Sequence, residues 1–576
     1  MKKTSFWILL AVGVALIVWA VLYTSASSGT AEAAAGAAET STASTTAVAS
    51  AVDTSGATEI QMDGTTAKIS GSGASAADGT VTITSGGTYR LTGAFAGQVL
   101  IKAAENQTVT LVLSDAEITN SSSVAIYAET KCTVILDLEG ASSVSDAAGY
   151  TLSEDDTGAA IFTKGDLTIL GDGSLSVNGF NHHGIQSKGN LTVASGSLTV
   201  LSAGDGLKGK ETVTLAGGTI SIASGGDGVQ SSKANVLVSG GSLTIDSAGD
   251  GIVAETELLV TGGTLQITAG GGAASGKGSI SAKGLKGLTG LTISGGEITV
   301  NSGDDCLHSN GNVTISGGTM TLASGDDGVH ADGTLTVESG DITISQSYEG
   351  LEGADILISA GNISITASDD GLNAAGTSSD QMMTAAAGGT VPDDTTGEDL
   401  IRIDGGTITI NAGGDGVDSN GYILMTGGTL LVDGPSDSAN GALDSGLTAE
   451  IRGGTVVAVG ASGMAEGFSS DSSQCSILDN LDTSEAAGTN VTLTDASGTV
   501  LVQFTSAKTF NSVVVSCPDL TQGETYTLTV GDTSEEITLD SASVTVGTTT
   551  GGMGGQGGVG SFGGQGNLGG QGGTRP

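Results

Sequence analysis

Ser302-Gly303-Asp304-Asp305-Cys306-Leu307-His308-Ser309-Asn310-Gly311 is followed 22 residues later by Ser324-Gly325-Asp326-Asp327-Gly328-Val329-His330-Ala331-Asp332-Gly333. Leu335-Thr336-Val337 comes next, then a Gly-containing turn and a second alternating run. Alternation at period 2 means strand. Gly and Asp punctuation means tight turns. The unit recurs in both directions. Gly184, Gly206, Gly228 and Gly251 are separated by steps of 22, 22 and 23 residues. After one longer step, Gly284, Cys306, Gly328, Gly350 and Gly371 follow at 22, 22, 22 and 21. A unit this short cannot bury its own core and must stack on its neighbours. Two or three short strands with turns make one coil of a parallel β-helix, whereas a nonapeptide β-roll would repeat every nine residues or so.

Coils stack at strand spacing, so about 15 coils between residues 85 and 460 predict a rod roughly 70 Å long. Inward Val, Ile and Leu form its core. Stacked small β-branched residues need few large rings, which accounts for an aromatic content of only 3%. The net charge of −44 excludes nucleic acid and anionic membrane surfaces as partners, because phosphate recognition needs Lys/Arg clusters. It favours solubility and divalent cations.

Five segments are expected. Residues 1–56 open with Met1-Lys2-Lys3 and an uncharged run from Phe6 to Tyr23, then turn Ala/Ser/Thr/Gly-rich. This reads as a secretory signal or an uncleaved signal anchor. It places the protein outside a bacterial cell or on its surface, touching membrane only through that segment. Residues 57–157 are the first coils and cap, 158–465 the regular stack, 466–547 a small β-sheet cap over the open end, and 548–576 a Gly/Gln-rich tail. Residues 269–282 and 375–398 break the count as insertions, which in a solenoid project from one face. Of the four Cys, Cys475 and Cys517 share a segment and are close enough in sequence to pair, while Cys132 and Cys306 read as buried fillers. The protein is expected to be a monomer.

The turn before each short apolar segment carries acids: Asp205, Asp227, Asp250, Asp304-Asp305, Asp326-Asp327, Glu349, Asp369-Asp370 and Asp415. Three residues after the motif acid come His308, His330, Glu352, Asn373 and Asp418. Stacking in register turns these into two columns on one face. Like charges about 5 Å apart cost about 1 kcal/mol per pair in water and about 3 at an effective dielectric near 20. Such a ladder calls for a counter-ion, and oxygen-rich clusters suit Ca²⁺. The candidate calcium ligands are Asp304, Asp305, Asp326, Asp327, Asp332, Glu349, Asp369 and Asp370. The bland alternative is turn chemistry, each Asp capping its own backbone. The doublets are harder to explain that way. His308 and His330 should stack directly, while His182 and His183 read as exposed turn residues. Lys283, Lys286, His308, His330 and Glu352 are the candidate carbohydrate contacts; Lys208 and Lys210 offset acids or add to the basic patch.

The run from residue 281 to 376 closely resembles a known bacterial family. Ser281-Ala282-Lys283-Gly284-Leu285-Lys286, the two decapeptides above, Ser347-Tyr348-Glu349-Gly350-Leu351-Glu352-Gly353 and Ser368-Asp369-Asp370-Gly371-Leu372-Asn373-Ala374-Ala375-Gly376 repeat its pattern five times. It is similar to exported carbohydrate-binding β-helix proteins related to pectate lyases, over roughly residues 57–547. The resemblance implies an all-β, right-handed single-stranded parallel β-helix with a small C-terminal β-sheet cap. It also implies bound Ca²⁺ and capture of plant cell-wall polysaccharides, acidic galacturonans above all. Cellulose remains a candidate partner, although few aromatics argue against a stacking platform for its crystalline form. Cys306 departs from the pattern, standing where the other motifs carry Gly.

Three functions compete. One is binding without cleavage. The second is a calcium-dependent lyase or hydrolase, since Gly303-Asp304-Asp305-Cys306 resembles a polygalacturonase signature; no second hydrolase motif accompanies it, and Arg402-Ile403-Asp404 lacks the basic third residue such a set would want. A lyase would need a Lys or Arg base over the ion. The third is a structural rod or adhesin. The sequence favours binding without catalysis.

Overall fold

The computed structural model describes residues 53–151, 158–376, 390–391 and 397–547. The apolar run Phe6 to Tyr23, the tail 548–576 and most of the insertion 375–398 lie outside the described residues.

The chain winds into a β-solenoid of about 15 turns. Each regular coil contributes three strands, and each strand pairs in parallel with its equivalent one coil on. The shortest strands form the first sheet, including Leu207–Gly209, Val229–Ser231, Ile252–Ala254, Leu285–Gly287 and Leu307–Ser309. Strands such as Val213–Leu215 and Val236–Val238 form the second, and Thr219–Ser224 and Ser242–Ser247 the third. In each short strand the outer two residues face inward and the middle one outward, as the two-residue period requires. Leu207, Val229, Ile252, Leu285, Leu307, Val329, Leu351 and Leu372 therefore form one unbroken buried stripe. Each contributes roughly 1.5–3 kcal/mol by leaving water.

Glycine opens the short strand because the next wall of the coil lies against it. A Cβ on Gly328 would sit 2.7 Å from both Ile344 Cδ1 and the Gly350 carbonyl oxygen; one on Gly371 would sit 2.4 Å from Ile410 Cγ2. Cys306 escapes this limit for a local reason. Its facing residue is Leu322, in register with Val300 and Ile344. Leucine lacks the second Cβ branch of valine and isoleucine, so the space that their Cγ atoms fill in other coils receives the thiol. Cys306 is fully buried and its sulfur accepts from Ser302 Oγ at 3.2 Å.

At the C-terminal end antiparallel pairs enter, although Ser476–Glu485 still pairs in parallel with Ser543–Gly547. Thr455–Gly460 pairs antiparallel with Phe510–Ser516, which also pairs antiparallel with Ser476–Glu485. Four further strands, Val500–Thr505, Asn490–Thr494, Thr525–Val530 and Thr533–Thr538, form a separate antiparallel sheet, and one apolar cluster joins Val491, Leu493 and Tyr526 on it to Val457 and Phe510 at the solenoid's end. Cys475 and Cys517 both lie in this region as free, buried thiols, as do Cys132 and Cys306 in the solenoid, so the pairing that sequence proximity left open is absent.

Candidate functional site

The first sheet carries two parallel columns. The inner column is the turn residue before each short strand, and its backbone carbonyl accepts from the residue opening the strand one coil earlier. In order it runs Asp205, Asp227, Asp250, Lys283, Asp305, Asp327, Glu349, Asp370 and Asp415, and His183, just before Gly184, stands at the equivalent position one coil earlier. The outer column is the outward middle residue of each short strand: Tyr127, Phe162, Gln186, Lys208, Gln230, Val253, Lys286, His308, His330, Glu352, Asn373, Asp418 and Asp444.

One oxygen of each inner aspartate is structural, whereas Glu349 accepts from the Asn373 side chain. Oδ1 of Asp205 accepts from the Asp227 N–H (3.1 Å), Asp227 from Asp250 (2.9 Å), Asp250 from Lys283 (2.8 Å), Asp305 from Asp327 (3.2 Å), Asp327 from Glu349 (3.2 Å) and Asp370 from Asp415 (2.7 Å). The carboxylate thus caps the next coil's backbone and not its own. Asp304 alone among the motif acids caps locally, accepting from the Asp305 N–H at 3.1 Å. The recurrence of Asp at this position has a structural cause, and the second oxygen is left facing outward.

In four coils the second oxygen meets the outer residue three positions on. Asp205 Oδ2 accepts from Lys208 Nζ (2.7 Å) and Asp227 Oδ2 from Gln230 Nε2 (3.1 Å). His308 Nδ1 lies 2.8 Å from Asp305 Oδ2 and His330 Nδ1 lies 3.4 Å from Asp327 Oδ2. The two imidazoles stack with centroids 5.0 Å apart. His330 also bonds Glu352 through Nδ1 and Asp332 through Nε2, the latter at 3.0 Å. Burial opposes charge on His330, yet hydrogen bonds to Asp327 and Glu352 push its imidazole up to about 11. Burial would likewise raise the Asp305 carboxyl, but the His308 hydrogen bond and the Lys283 charge hold it well below the usual carboxylate range.

Downstream the pattern inverts. Asp415 is followed by Asp418, and Asp418 and Asp444 continue the outer column. Among the described residues no Lys, Arg or His pairs with Asp370, Asp415, Asp418 or Asp444. Burial, reinforced by neighbouring carboxylates, pushes Asp370 up to about 6 and Asp415 and Asp418 to about 7. Glu349 is pushed to about 8 by burial and then by Glu352.

The family model described as carbohydrate-binding domain-containing protein matches residues 77–328 and 326–513, well over half the sequence. The chain belongs to this family. A relative with the same description from Acetivibrio thermocellus is 32% identical over 134 residues, covering 22% of this chain and 47% of that one. The chain therefore spans about half the length of the curated relative it matches. The solved structure of a polysaccharide lyase-like protein from C. thermocellum, a gadolinium derivative, is similar at 24% identity and a TM-score of 0.35, over 45% of this chain and 96% of that one.

Within this carbohydrate-binding domain protein, Lys286, His308, His330 and Glu352 stand as four consecutive members of the outer column. Lys283 belongs to the inner column instead. It is buried, and its ammonium donates to Asp304 Oδ1 (2.9 Å) and Asp305 Oδ2 (2.6 Å), so it acts as a counter-charge inside the ladder. Asp304, Asp305 and Asp326 come together, but Lys277 from the 269–282 insertion also reaches Asp326 and lies 3.8 Å from Asp304. Asp369 and Asp370 lie at the turn below Asp415. Asp332 sits to one side, against His330 and Asn310. His183 corrects the expectation of an exposed turn residue. It is buried in the strand His183–Ser187, and its Nδ1 lies 3.2 Å from Asp205 Oδ2. Upstream, the outer column gathers rings: Tyr127 and Phe162 stack at 5.5 Å and pack beside Tyr150.

A calcium ion needs about six to eight oxygens. Asp370, Asp415 and Asp418 offer an all-oxygen set with donor atoms within 4.8 Å of one another and no basic side chain among them. The Asp304–Asp305–Asp326 set has equivalent spacing but already holds two ammonium groups.

Proposed function

We propose that this chain is an exported bacterial protein that captures acidic, galacturonan-like polysaccharide along the outer column, with calcium at the Asp370–Asp415–Asp418 end, and does not cleave it. The observation that carries the reading is the grading of one continuous column, from Lys208 and Lys286 through two stacked imidazoles to carboxylates without a basic partner. A polymer lying along the solenoid axis meets ammonium and imidazolium donors for its own carboxylates. At the downstream end, calcium bridges sugar and protein oxygens and offsets the crowded charge. Tyr348, 48% exposed beside Glu349, adds an apolar contact on the same face.

Binding without cleavage is supported by the state of the candidate bases. A lyase needs a free amine or imidazole to take a proton. Lys283 is held as an ammonium between two carboxylates, which raise it although burial works the other way. His330, pushed to about 11, keeps its proton. Export is supported by the basic start and the apolar run from Phe6 to Tyr23.

The test is retention of the full chain on insoluble polygalacturonate, with calcium and with a chelator, while the supernatant is followed for unsaturated products and new reducing ends. Retention that the chelator abolishes, with no products, is expected. Release of products overturns the non-catalytic reading. No retention under either condition overturns the acid-sugar reading and leaves a structural rod or adhesin.

A further inference from the structure

His308 and His330 are two of only four histidines in the chain, and they stand in register on neighbouring coils. Their Nδ1 atoms both point back toward the inner column, one at Asp305 and one at Asp327. Glu352 closes the set from the next coil. Two overlapping triplets result, Asp305–His308–His330 and Asp327–His330–Glu352, each with one donor atom per residue within 4.8 Å of the others.

The neighbouring cations are already committed. Lys283 pairs with Asp304 and Asp305, Lys277 with Asp326, and Lys286 lies 3.6 Å from Asp250. Among the described residues, Asp327 and Glu352 have His330 as their only basic partner. The cluster thus offers nitrogen and oxygen donors together, on short strands locked by the backbone ladder on both sides. Imidazole donors suit first-row ions such as zinc and cobalt, whereas calcium takes an all-oxygen shell.

We propose that His330 Nδ1, with the carboxylates of Asp327 and Glu352, forms a second metal site selective for a borderline divalent ion of the Zn²⁺ type. Zinc–nitrogen bonds of about 2.0–2.1 Å require the donors to draw in slightly, which the exposed side of Glu352 allows. As the ion binds it displaces the Nδ1 proton of His330 to solvent, so His330 then leaves the set of imidazolium donors that faces the polymer; the site goes beyond calcium-bridged capture and is tested without it.

The experiment uses the full chain without a histidine tag, in excess calcium so that the oxygen-only end is filled. Cobalt is titrated and its visible absorption followed, with zinc as competitor. One cobalt per chain is expected, displaced by zinc, with affinity falling at least about 10–100-fold, the scale on which even outer partners act, in His330→Gln and unchanged in Asp246→Asn, an exposed position on the third sheet. Zinc-edge X-ray absorption on the wild-type protein needs no variant and should show imidazole scattering at the ion. Absence of saturable cobalt binding, equal affinity in a folded His330→Gln, or an all-oxygen zinc environment overturns the proposal. None of these readouts involves polysaccharide, so failure here is separable from failure of the capture reading.

Discussion

The coils carrying Asp305 to Glu352 and those carrying Asp370 to Asp444 share one backbone and differ in what stands three residues after the inner acid. After Asp305 and Asp327 that residue is an imidazole, and Glu352, which follows Glu349, is bonded to one of them; after Asp415 it is another carboxylate with no basic partner among the described residues. The inner carboxylate still caps the next coil in both. The lesson is that fold and chemistry are separable here. The ladder of Asp oxygens needs no ligand to explain it, and function resides in the outer residue that completes or fails to complete each charge.

The largest effect expected from this difference is on calcium. At an ion concentration of 100 times Kd, binding to the native state alone stabilises by about 2.7 kcal/mol. Calorimetric melts of the full chain should show that increment, Asp418→Asn should lose most of it, and His330→Gln should keep it. Loss in His330→Gln instead would place the ion among the histidines and break the distinction. The claim of a shared backbone has its own check, somewhat smaller. Gly328→Ala and Gly371→Ala should each cost about 1–3 kcal/mol by overpacking, because the added Cβ meets the same wall in both coils. Pairing Gly328→Cys with Ile344→Leu should recover much of the loss, reproducing the Cys306–Leu322 arrangement. Unequal costs in denaturant melts would mean the two stretches are not equivalent.

Most of this architecture was legible because the 22-residue spacing fixes which residues stack, and register then brings Lys286, His308, His330 and Glu352 into line without further information. What escaped the sequence depends on distances that spacing does not encode. Lys277 enters from an insertion and crosses to Asp326, 49 residues away. Asp415 and Asp418 were visible as members of the columns, but the 375–398 insertion moves Asp415 45 residues from Asp370, so their closure into one oxygen set was hidden. The role of Lys283 turned on one position: it occupies the inner column where neighbouring coils carry acids, so a sugar-facing base became an internal counter-charge. His183 was misplaced for the same reason, since a turn-like sequence, Asn181-His182-His183-Gly184, holds the inner-column position one coil before Asp205.

The rule that the outer residue decides the state of the inner acid can be sharpened upstream, at Asp205 and Lys208. Burial alone would raise the Asp205 carboxyl, but His183 and Lys208 hold it well below the usual range. A depressed carboxylate contributes stability that is fully present above its unfolded value, near pH 3.9, and is lost as pH falls through the folded value. Lys208→Met removes the ammonium 2.7 Å from Oδ2 and should move the folded value back upward. Because the Lys208 side chain is 22% exposed, solvent screens the pair and the cost at pH 7 is about 1 kcal/mol or less. The Asp205 part of that cost should hold down to about pH 5 and vanish once Asp205 is protonated in both proteins. His183 is lowered by burial and also by the Lys208 charge, so the substitution acts on it too. Repeating the pair on a His183→Gln background leaves the Asp205 charge as what separates their acid melts, read by amide exchange in the strands around Leu207 and Val229. A difference that grows as pH falls below about 4 would show that the ammonium acts by packing rather than by charge, and the outer-residue rule would fail where its geometry is simplest.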